Sequence, residues 1–216
     1  MKAVFLDYTG TMVKEDEPYT RELLSYFISH SEVKDPEEAM GLVWGMIKEI
    51  ELKCFGDGFI GKDEMVERIL SRCRAEYGLS GDLEYMHDIW RRTWIYAPLY
   101  EDVKPFFTRA SCPIYVVTND DLKYIKQSLE IKDLHPAGIV AAEMVRACKP
   151  HGEIFRKALE TAGVEPGEAV HIGDSVSSDV EPARAAGISP ILIDRTGIAG
   201  AADCRVIQSL DELFSE

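Results

Sequence analysis

Polar residues suited to catalysis follow short apolar segments of the chain. Asp7 comes directly after the uncharged run at residues 3–6, Thr118 ends a second apolar run, Asp174 follows a third, and Lys149 lies in a loop between the last two. Two carboxylates, with a backbone carbonyl and waters, suit a hard divalent cation such as Mg²⁺. A hydroxyl, a lysine and loop amides suit a phosphoryl group. A carboxylate beside both is a nucleophile for covalent transfer.

The second half of the chain alternates short apolar runs with amphipathic helices, which predicts a parallel sheet with helices on both faces. The predicted strands are 3–6, 113–117, 138–142, 169–172 and 190–193, and the predicted helices are 102–110, 122–129, 152–162, 179–186 and 210–214. The carboxyl ends of parallel strands face one edge of a sheet, so the polar residues that follow them can converge on one crevice. His171, inside an apolar strand, is interpreted as a core residue rather than a metal ligand.

Residues 20–96 show only helical periodicity. Four amphipathic helices are predicted, and they begin near Thr20, Pro36, Lys62 and Asp82, with a turn at residues 54–59. Four such helices in a row favour a compact bundle. The sequence therefore predicts a core domain at residues 1–12 and 98–216 and a helical insertion at residues 13–97.

Composition and charge limit the classes of partner. The chain has 216 residues and a formal net charge of −14. Such an acidic surface repels phosphate backbones, which argues against nucleic acid as a partner. No apolar run approaches the ~18 residues that span a bilayer, and we expect neither a signal peptide nor a membrane partner. Five scattered cysteines without a C-x-x-C pair favour reduced thiols and a cytoplasmic location.

As a set, four segments resemble the sequence motifs of the haloacid dehalogenase (HAD) superfamily of hydrolases. They are D-Y-T-G-T at residues 7–11, V-V-T-N at residues 116–119, Lys149 before Pro150, and G-D-S-V-S-S-D at residues 173–179. The resemblance covers about residues 1–12 and 98–195. It implies an α/β fold, a Rossmann-like doubly wound parallel sheet with an inserted α-helical cap domain, similar to the mobile cap of the family's first cap class.

The resemblance also implies catalytic roles. Asp7 would attack phosphorus and form an aspartyl-phosphate. Thr118 and the amide of Asn119 would hold phosphoryl oxygens, and Lys149 would neutralise charge on Asp7 and the phosphoryl group. A family member of this kind would be a hydrolase, and a phosphatase of a small phosphorylated metabolite is the leading interpretation.

A magnesium site is implied by the same motifs. Mg²⁺ would be held by the carboxylates of Asp7 and Asp174 and the main-chain carbonyl of Thr9. Asp179 would support it from a second layer or through water. We therefore expect Mg²⁺ as the cofactor.

Thr9 departs from the pattern of the family's phosphatases. They usually carry aspartate two residues after the nucleophile, where it protonates the leaving oxygen and then activates water. Threonine cannot do either near neutral pH, and such general acid–base help contributes roughly 10²–10⁴ in rate. We therefore expect slow phosphomonoester hydrolysis, or a substrate with a good leaving group such as an acyl phosphate.

Substrate choice is predicted to come from the insertion. The glycine-containing segment at residues 55–62 can dip into the crevice, and the predicted substrate-contacting residues are Thr9, Asn119, Phe55, Asp57 and Lys62. Closure of such a lid excludes water from the reaction. The expected partner is a small phosphorylated molecule, and the protein is expected to be a monomer or a homodimer.

Two other functions stay open. One is a carbon-centred HAD hydrolase: the family's dehalogenases carry tyrosine at the Thr9 position, and its phosphonate hydrolase carries alanine. The phosphonate enzyme also needs a cap lysine for a Schiff base, for which Lys53 and Lys62 are the candidates. The other is a binding module without catalysis, against which the retained Asp7, Lys149 and Asp174 argue.

Overall fold

The computed structural model describes residues 1–15, 17–197 and 203–214, and within them a six-stranded sheet in which all neighbouring strands are parallel. The strands are β1 (Ala3–Leu6), β2 (Ile114–Thr118), β3 (Gly138–Ala141), β4 (Ala169–Gly173), β5 (Ser189–Ile193) and β6 (Arg205–Ile207). Their order is β3-β2-β1-β4-β5-β6. The predicted fold class, an α/β Rossmann-like parallel sheet, is confirmed. β6 was not predicted, because it is a three-residue edge strand with two exposed side chains.

Helices precede, connect and flank the strands. They are α1 (Pro18–His30), α2 (Pro36–Lys53), α3 (Lys62–Glu76), α4 (Leu83–Tyr96), α5 (Val103–Arg109), α6 (Leu122–Lys132), α7 (Glu153–Ala162) and α8 (Glu181–Ala185). The predicted starts at Pro36 and Lys62 are confirmed. The helix predicted at residues 179–186 is shorter, because a π-helical turn at Val176–Val180 precedes it. Among the described helices, none has the length and apolar character of a membrane-spanning segment.

Local capping by acidic side chains explains where α1, α2 and α4 begin. The side chain of Glu17 accepts hydrogen bonds from the amides of Tyr19 and Thr20 at the start of α1. Asp35 accepts from the amide of Glu38 at the start of α2, and Asp82 caps α4 in the same way. Each carboxylate satisfies amides that have no partner within the helix, which fixes its first turn.

The central position of β1 follows from the way the chain is wound. From β1 the chain passes to β2 and β3 on one side, then returns to β4 on the other side of β1 and continues to β5 and β6. β1 and β4 are therefore neighbours at the point where the winding reverses, and Leu6 pairs with Ile172. In open α/β sheets a ligand-binding crevice forms at this point.

Both faces of β1 are buried. Ala3 and Phe5 pack into the apolar cluster on one face, and Val4 and Leu6 pack into the cluster on the other. All four side chains are at most 2% exposed. A strand buried on both faces consists of consecutive apolar residues, as residues 3–6 do.

We call residues 18–96, which hold α1 to α4, the helical segment. Two short connections join it to the sheet and run side by side: Val13 bridges to Leu99, and the amide of Lys14 donates to Pro98 O at 2.9 Å. The predicted division into a core at 1–12 and 98–216 and a cap at 13–97 stays a prediction. Of those ranges, residues 16, 198–202, 215 and 216 lie outside the described part of the chain.

Phe5→Ala is expected to lower the free energy of unfolding by about 3–5 kcal/mol, because it empties a fully buried position in the central strand. Urea unfolding followed by circular dichroism measures this change. Ile131→Ala, at a side chain that is 54% exposed on α6, is the control and is expected to change little. Equal losses in the two variants would contradict the central role of β1.

Candidate active site

The ammonium of Lys149 joins two carboxylates at the carboxyl edge of the sheet. Lys149 Nζ lies 2.6 Å from Asp7 Oδ1 and 2.7 Å from Asp179 Oδ1. Asp7 directly follows β1, and its amide donates to Ile172 O of β4 at 2.9 Å. Lys149 is only 3% exposed. The structure therefore brings together three residues that are separated widely in the sequence.

Asp179 has partners on both carboxylate oxygens. Besides Lys149, Oδ1 is 2.8 Å from His171 Nε2, and Oδ2 accepts from the amide of Ser175 at 3.2 Å. Burial acts to raise the pKa of Asp179, but Lys149 and His171 outweigh it and hold that pKa below its usual range. Asp179 is therefore an ionised anchor for Lys149.

His171 lies in the core, as predicted, but it also belongs to this network. Burial lowers the pKa of His171, so the ring is neutral. A neutral ring donates to Asp179 only if its proton is on Nε2. No sequence signal distinguishes this role from that of a core histidine, because the hydrogen bond depends on how the turn after β4 folds.

Three carboxylates form a cluster that could hold a metal ion. One oxygen from each of Asp7, Asp174 and Asp179 lies within 4.8 Å of the others. A Cβ added at Gly10, which has φ +78°, would lie 2.6 Å from Asp174 Oδ2, so only glycine lets the loop pass this close. Oxygen ligands of this kind are those that Mg²⁺ prefers, and the donor set fits that ion.

The charge balance of the cluster also fits a divalent cation. Burial, with smaller contributions from Asp179 and Asp174, raises the pKa of Asp7 well above its ordinary value. Burial, then Asp179, raises the pKa of Asp174 to about 6. Three carboxylates face one ammonium, so the ionised cluster carries a net negative charge that Lys149 does not neutralise. One divalent cation would remove this excess.

Asn119 positions the loop that carries Lys149. Its Nδ2 donates to Lys149 O at 3.2 Å, and the amide of Lys149 donates to its Oδ1 at 2.6 Å. Asn119 follows Thr118 at the end of β2, on the other side of β1 from Asp174. The predicted contacts of Thr118 and Asn119 with phosphoryl oxygens stay predictions.

Asp120 is a site residue that the sequence interpretation missed. Its Oδ2 accepts from Thr9 Oγ1 and from Thr118 Oγ1, each at 3.2 Å, and its side chain is buried. Lys62 Nζ of α3 lies 3.6 Å from its Oδ1. The available signal was the acidic pair at 120–121 directly after the strand-end T-N.

The predicted substrate-contacting residues of the helical segment lie in different settings. Phe55 is 48% exposed, and its ring centroid is 5.0 Å from that of His151, in the loop that follows Lys149. Asp57 is exposed in the turn Gly56–Gly58. Lys62 is buried, and its ammonium lies 3.0 Å from Glu51 Oε1. Contact of these residues with a substrate stays a prediction.

The chain is similar to proteins of one hydrolase family. The family model for haloacid dehalogenase-like hydrolases matches residues 1–187. A glyceraldehyde 3-phosphate phosphatase of Methanocaldococcus jannaschii is 24% identical over 200 residues, which cover 89% of this chain and 85% of the relative.

Solved structures share the fold over nearly the whole chain. A HAD phosphatase of Thermococcus onnurineus has a TM-score of 0.68 at 26% identity, over 99% of this chain and 96% of the other. The L-2-haloacid dehalogenase of Xanthobacter autotrophicus has a TM-score of 0.77 at 16% identity, with the same coverage. The latter likeness concerns the fold alone.

Asp174→Asn is expected to raise the melting temperature in EDTA at pH 7.5. The pKa of Asp174 is about 6 in the folded protein and about 3.9 in the unfolded chain. The protonated carboxyl therefore stabilises the folded state, and this contribution is complete below about pH 3.9. This contribution is lost as pH rises through 6, because a buried carboxylate then ionises. The neutral amide avoids the loss, and the two proteins should differ least at pH 4.

With Mg²⁺ at pH 7.5, the wild-type protein is expected to have the higher melting temperature of the two. The wild-type protein should gain stability from the ion by mass action, and Asp174→Asn should gain little. Thermal denaturation with and without MgCl2 measures both effects. An equal gain in the two proteins would place the ion elsewhere.

Proposed function

Because the chain belongs to the haloacid dehalogenase-like hydrolases, whose family model matches residues 1–187, we propose that it is a Mg²⁺-dependent phosphatase of a small phosphorylated metabolite. The observation that carries the proposal is the buried group of Asp7, Lys149 and Asp179 beside Asp174. Ionisable groups with shifted pKa values in a crevice favour catalysis over a purely structural role. The similarity to a phosphatase over most of both chains supports the same substrate class.

Asp7 is the proposed nucleophile. A carboxylate oxygen of Asp7 forms a bond to phosphorus, and the bond from phosphorus to the leaving oxygen breaks with its electron pair. Lys149, 2.6 Å from Asp7 Oδ1, offsets the negative charge of the carboxylate and of the arriving phosphoryl group. Water then attacks the aspartyl-phosphate and releases phosphate and Asp7.

Mg²⁺, when bound, would neutralise charge on the phosphoryl oxygens. Asp7, Asp174 and the main-chain carbonyl of Thr9 are the proposed ligands. The oxygens of Asp179 already bind Lys149, His171 and the Ser175 amide. Asp179 is therefore proposed to orient the metal ligands without binding the ion directly.

The hydroxyl of Thr9 sets the proposed limit on the reaction. It donates to Asp120 at 3.2 Å and provides no acid for the leaving oxygen. The rate should therefore depend strongly on how stable the leaving group is as an anion. We propose that acyl phosphates and aryl phosphates react faster than alkyl phosphates.

A Schiff-base mechanism on a carbon-centred substrate finds little support. It requires a neutral amine in the site. The side chain of Lys53 is 72% exposed and bound to Glu49. Burial acts to lower the pKa of Lys62, but Glu51 and Asp120 outweigh it and raise that pKa above its usual value. Lys62 is therefore held as an ammonium.

Asp7→Asn is expected to abolish Mg²⁺-dependent turnover of acetyl phosphate and p-nitrophenyl phosphate, because the amide cannot form the covalent intermediate. Phosphate release measured with and without EDTA tests this. Asp133→Asn, at an exposed residue after α6, is the matched control and should keep full activity.

Other outcomes would favour the alternatives. Chloride release from a 2-haloacid that does not depend on metal would indicate a dehalogenase. No turnover of any of these compounds, together with tight binding of another protein, would indicate a binding module.

Thr9→Asp is expected to raise kcat for an alkyl phosphate such as glycerol 3-phosphate by at least about tenfold, within the range of general acid–base help. The gain should be much smaller for acetyl phosphate, whose leaving group needs no proton. Steady-state kinetics with both substrates measures the difference. Unchanged rates, or equal gains on both substrates, would refute the explanation given for Thr9.

A further inference from the structure

A chain of polar contacts runs from the helical segment to the two threonines of the site. Glu51 Oε1 of α2 lies 3.0 Å from Lys62 Nζ at the start of α3, and Lys62 Nζ lies 3.6 Å from Asp120 Oδ1. Oδ2 of the same Asp120 accepts from Thr9 Oγ1 and Thr118 Oγ1. The exposed fractions of the Lys62, Glu51 and Asp120 side chains are 9%, 12% and 8%, so these charges are little screened by solvent.

The start of α3 is held at this place by two consecutive acids. Asp121 Oδ1 accepts from the amide of Lys62 at 3.0 Å, while Asp120 faces its ammonium. A Cβ added at Gly61 would lie 3.3 Å from Asp121 Oδ2, so the chain passes close to the loop after β2. The position of Lys62 relative to Asp120 therefore depends on the helical segment being docked on the sheet.

The negative charge of the buried Asp120 carboxylate requires a positive group nearby. Its carboxylate lies next to two hydroxyls, one of which is proposed to bind a phosphoryl oxygen. An unpaired carboxylate there would repel an anionic substrate and would be free to turn away. Lys62 supplies the opposite charge on the side away from the threonines.

We propose that Asp120 is a positioning residue that holds the Thr9 and Thr118 hydroxyls for the reaction, and that Lys62 keeps it there when the helical segment is docked. The inference rests on the proposed function for its effect on rate. Docking of the helical segment then does more than cover the site, because it fixes Asp120 and, through it, the hydroxyls of Thr9 and Thr118. Loss of Lys62 should lower kcat rather than raise KM.

A second ionic link between the helical segment and the sheet provides the control. Asp63 of α3 binds Lys123 and the hydroxyl of Tyr124, both on α6, the latter at 2.7 Å. Lys123 is more exposed than Lys62, and within the described part of the chain it contacts Asp63 and the Tyr124 ring rather than Thr9, Thr118 or Asp120. Lys123→Met therefore removes a more exposed ion pair between α3 and α6, while Asp63 keeps its bonds to Tyr124 and Arg91.

The test compares Lys62→Met, Asp120→Asn, the double variant and Lys123→Met. With p-nitrophenyl phosphate and Mg²⁺, Lys62→Met and Asp120→Asn are each expected to lower kcat by about tenfold, because misplaced groups slow the reaction. The change in KM should be smaller. The double variant should be no slower than the slower single one, because Lys62 acts through Asp120. Lys62→Arg should recover most of the rate, and Lys123→Met should keep it.

Amide hydrogen exchange measures the order of the loop at residues 118–121 without requiring catalytic turnover. The amide of Asp120 donates to Thr118 Oγ1 at 3.1 Å, so its protection reports on this loop. Residues 118–121 should exchange faster in Lys62→Met and in the isosteric Asp120→Asn than in Lys123→Met. If the wild-type protein hydrolyses no phosphate ester, the proposed function fails, while exchange still tests the link.

Three results would overturn the inference. They are multiplicative losses of kcat in the double variant, an equal loss in Lys123→Met, and exchange at residues 118–121 that does not differ from that of the control. If Lys62→Met does not fold, Asp120→Asn carries the test, because it keeps the shape of the side chain, removes its charge and replaces one acceptor oxygen with an N–H donor.

Discussion

The contact of Lys149 with Asp7 and Asp179 is the interaction on which the site depends. It holds the Asp7 carboxyl in a buried place, and Asp179 fixes the lysine through a second ion pair. The remaining negative charge, shared with Asp174, disfavours folding without a cation. The cluster therefore lowers the stability of the folded state when no cation is bound, and such groups are found more often at functional sites than in purely structural roles.

The winding of the sheet determines where this contact forms. Because the chain returns across β1 to form β4, Asp7 and Asp174 follow neighbouring strands although 166 residues separate them in the chain. The end of β2 and the loops after β2 and β3 bring Thr118, Asn119 and Lys149 to the same edge. Strand order thus converts scattered polar residues into one crevice.

The helical segment is bound to this edge by charged groups as well as by packing. Trp94 of α4 packs on Tyr124 of α6, with ring centroids 4.8 Å apart, and the start of α3 lies on the loop after β2. A segment attached in this way can influence the reaction through the groups that it orders. In this protein Lys62, at the start of α3, lies beside Asp120, and Asp120 accepts a hydrogen bond from Thr9.

The sequence by itself determined five of the six described strands, the polar residues at their ends and the family, because apolar runs and motif spacing are local properties. Only the tertiary structure decided that Asp120 faces Thr9 and Lys62, and that His171 binds Asp179. Such contacts join residues whose separation in the chain carries no signal. They follow from how helices and loops dock on the sheet, which packing of the whole chain decides.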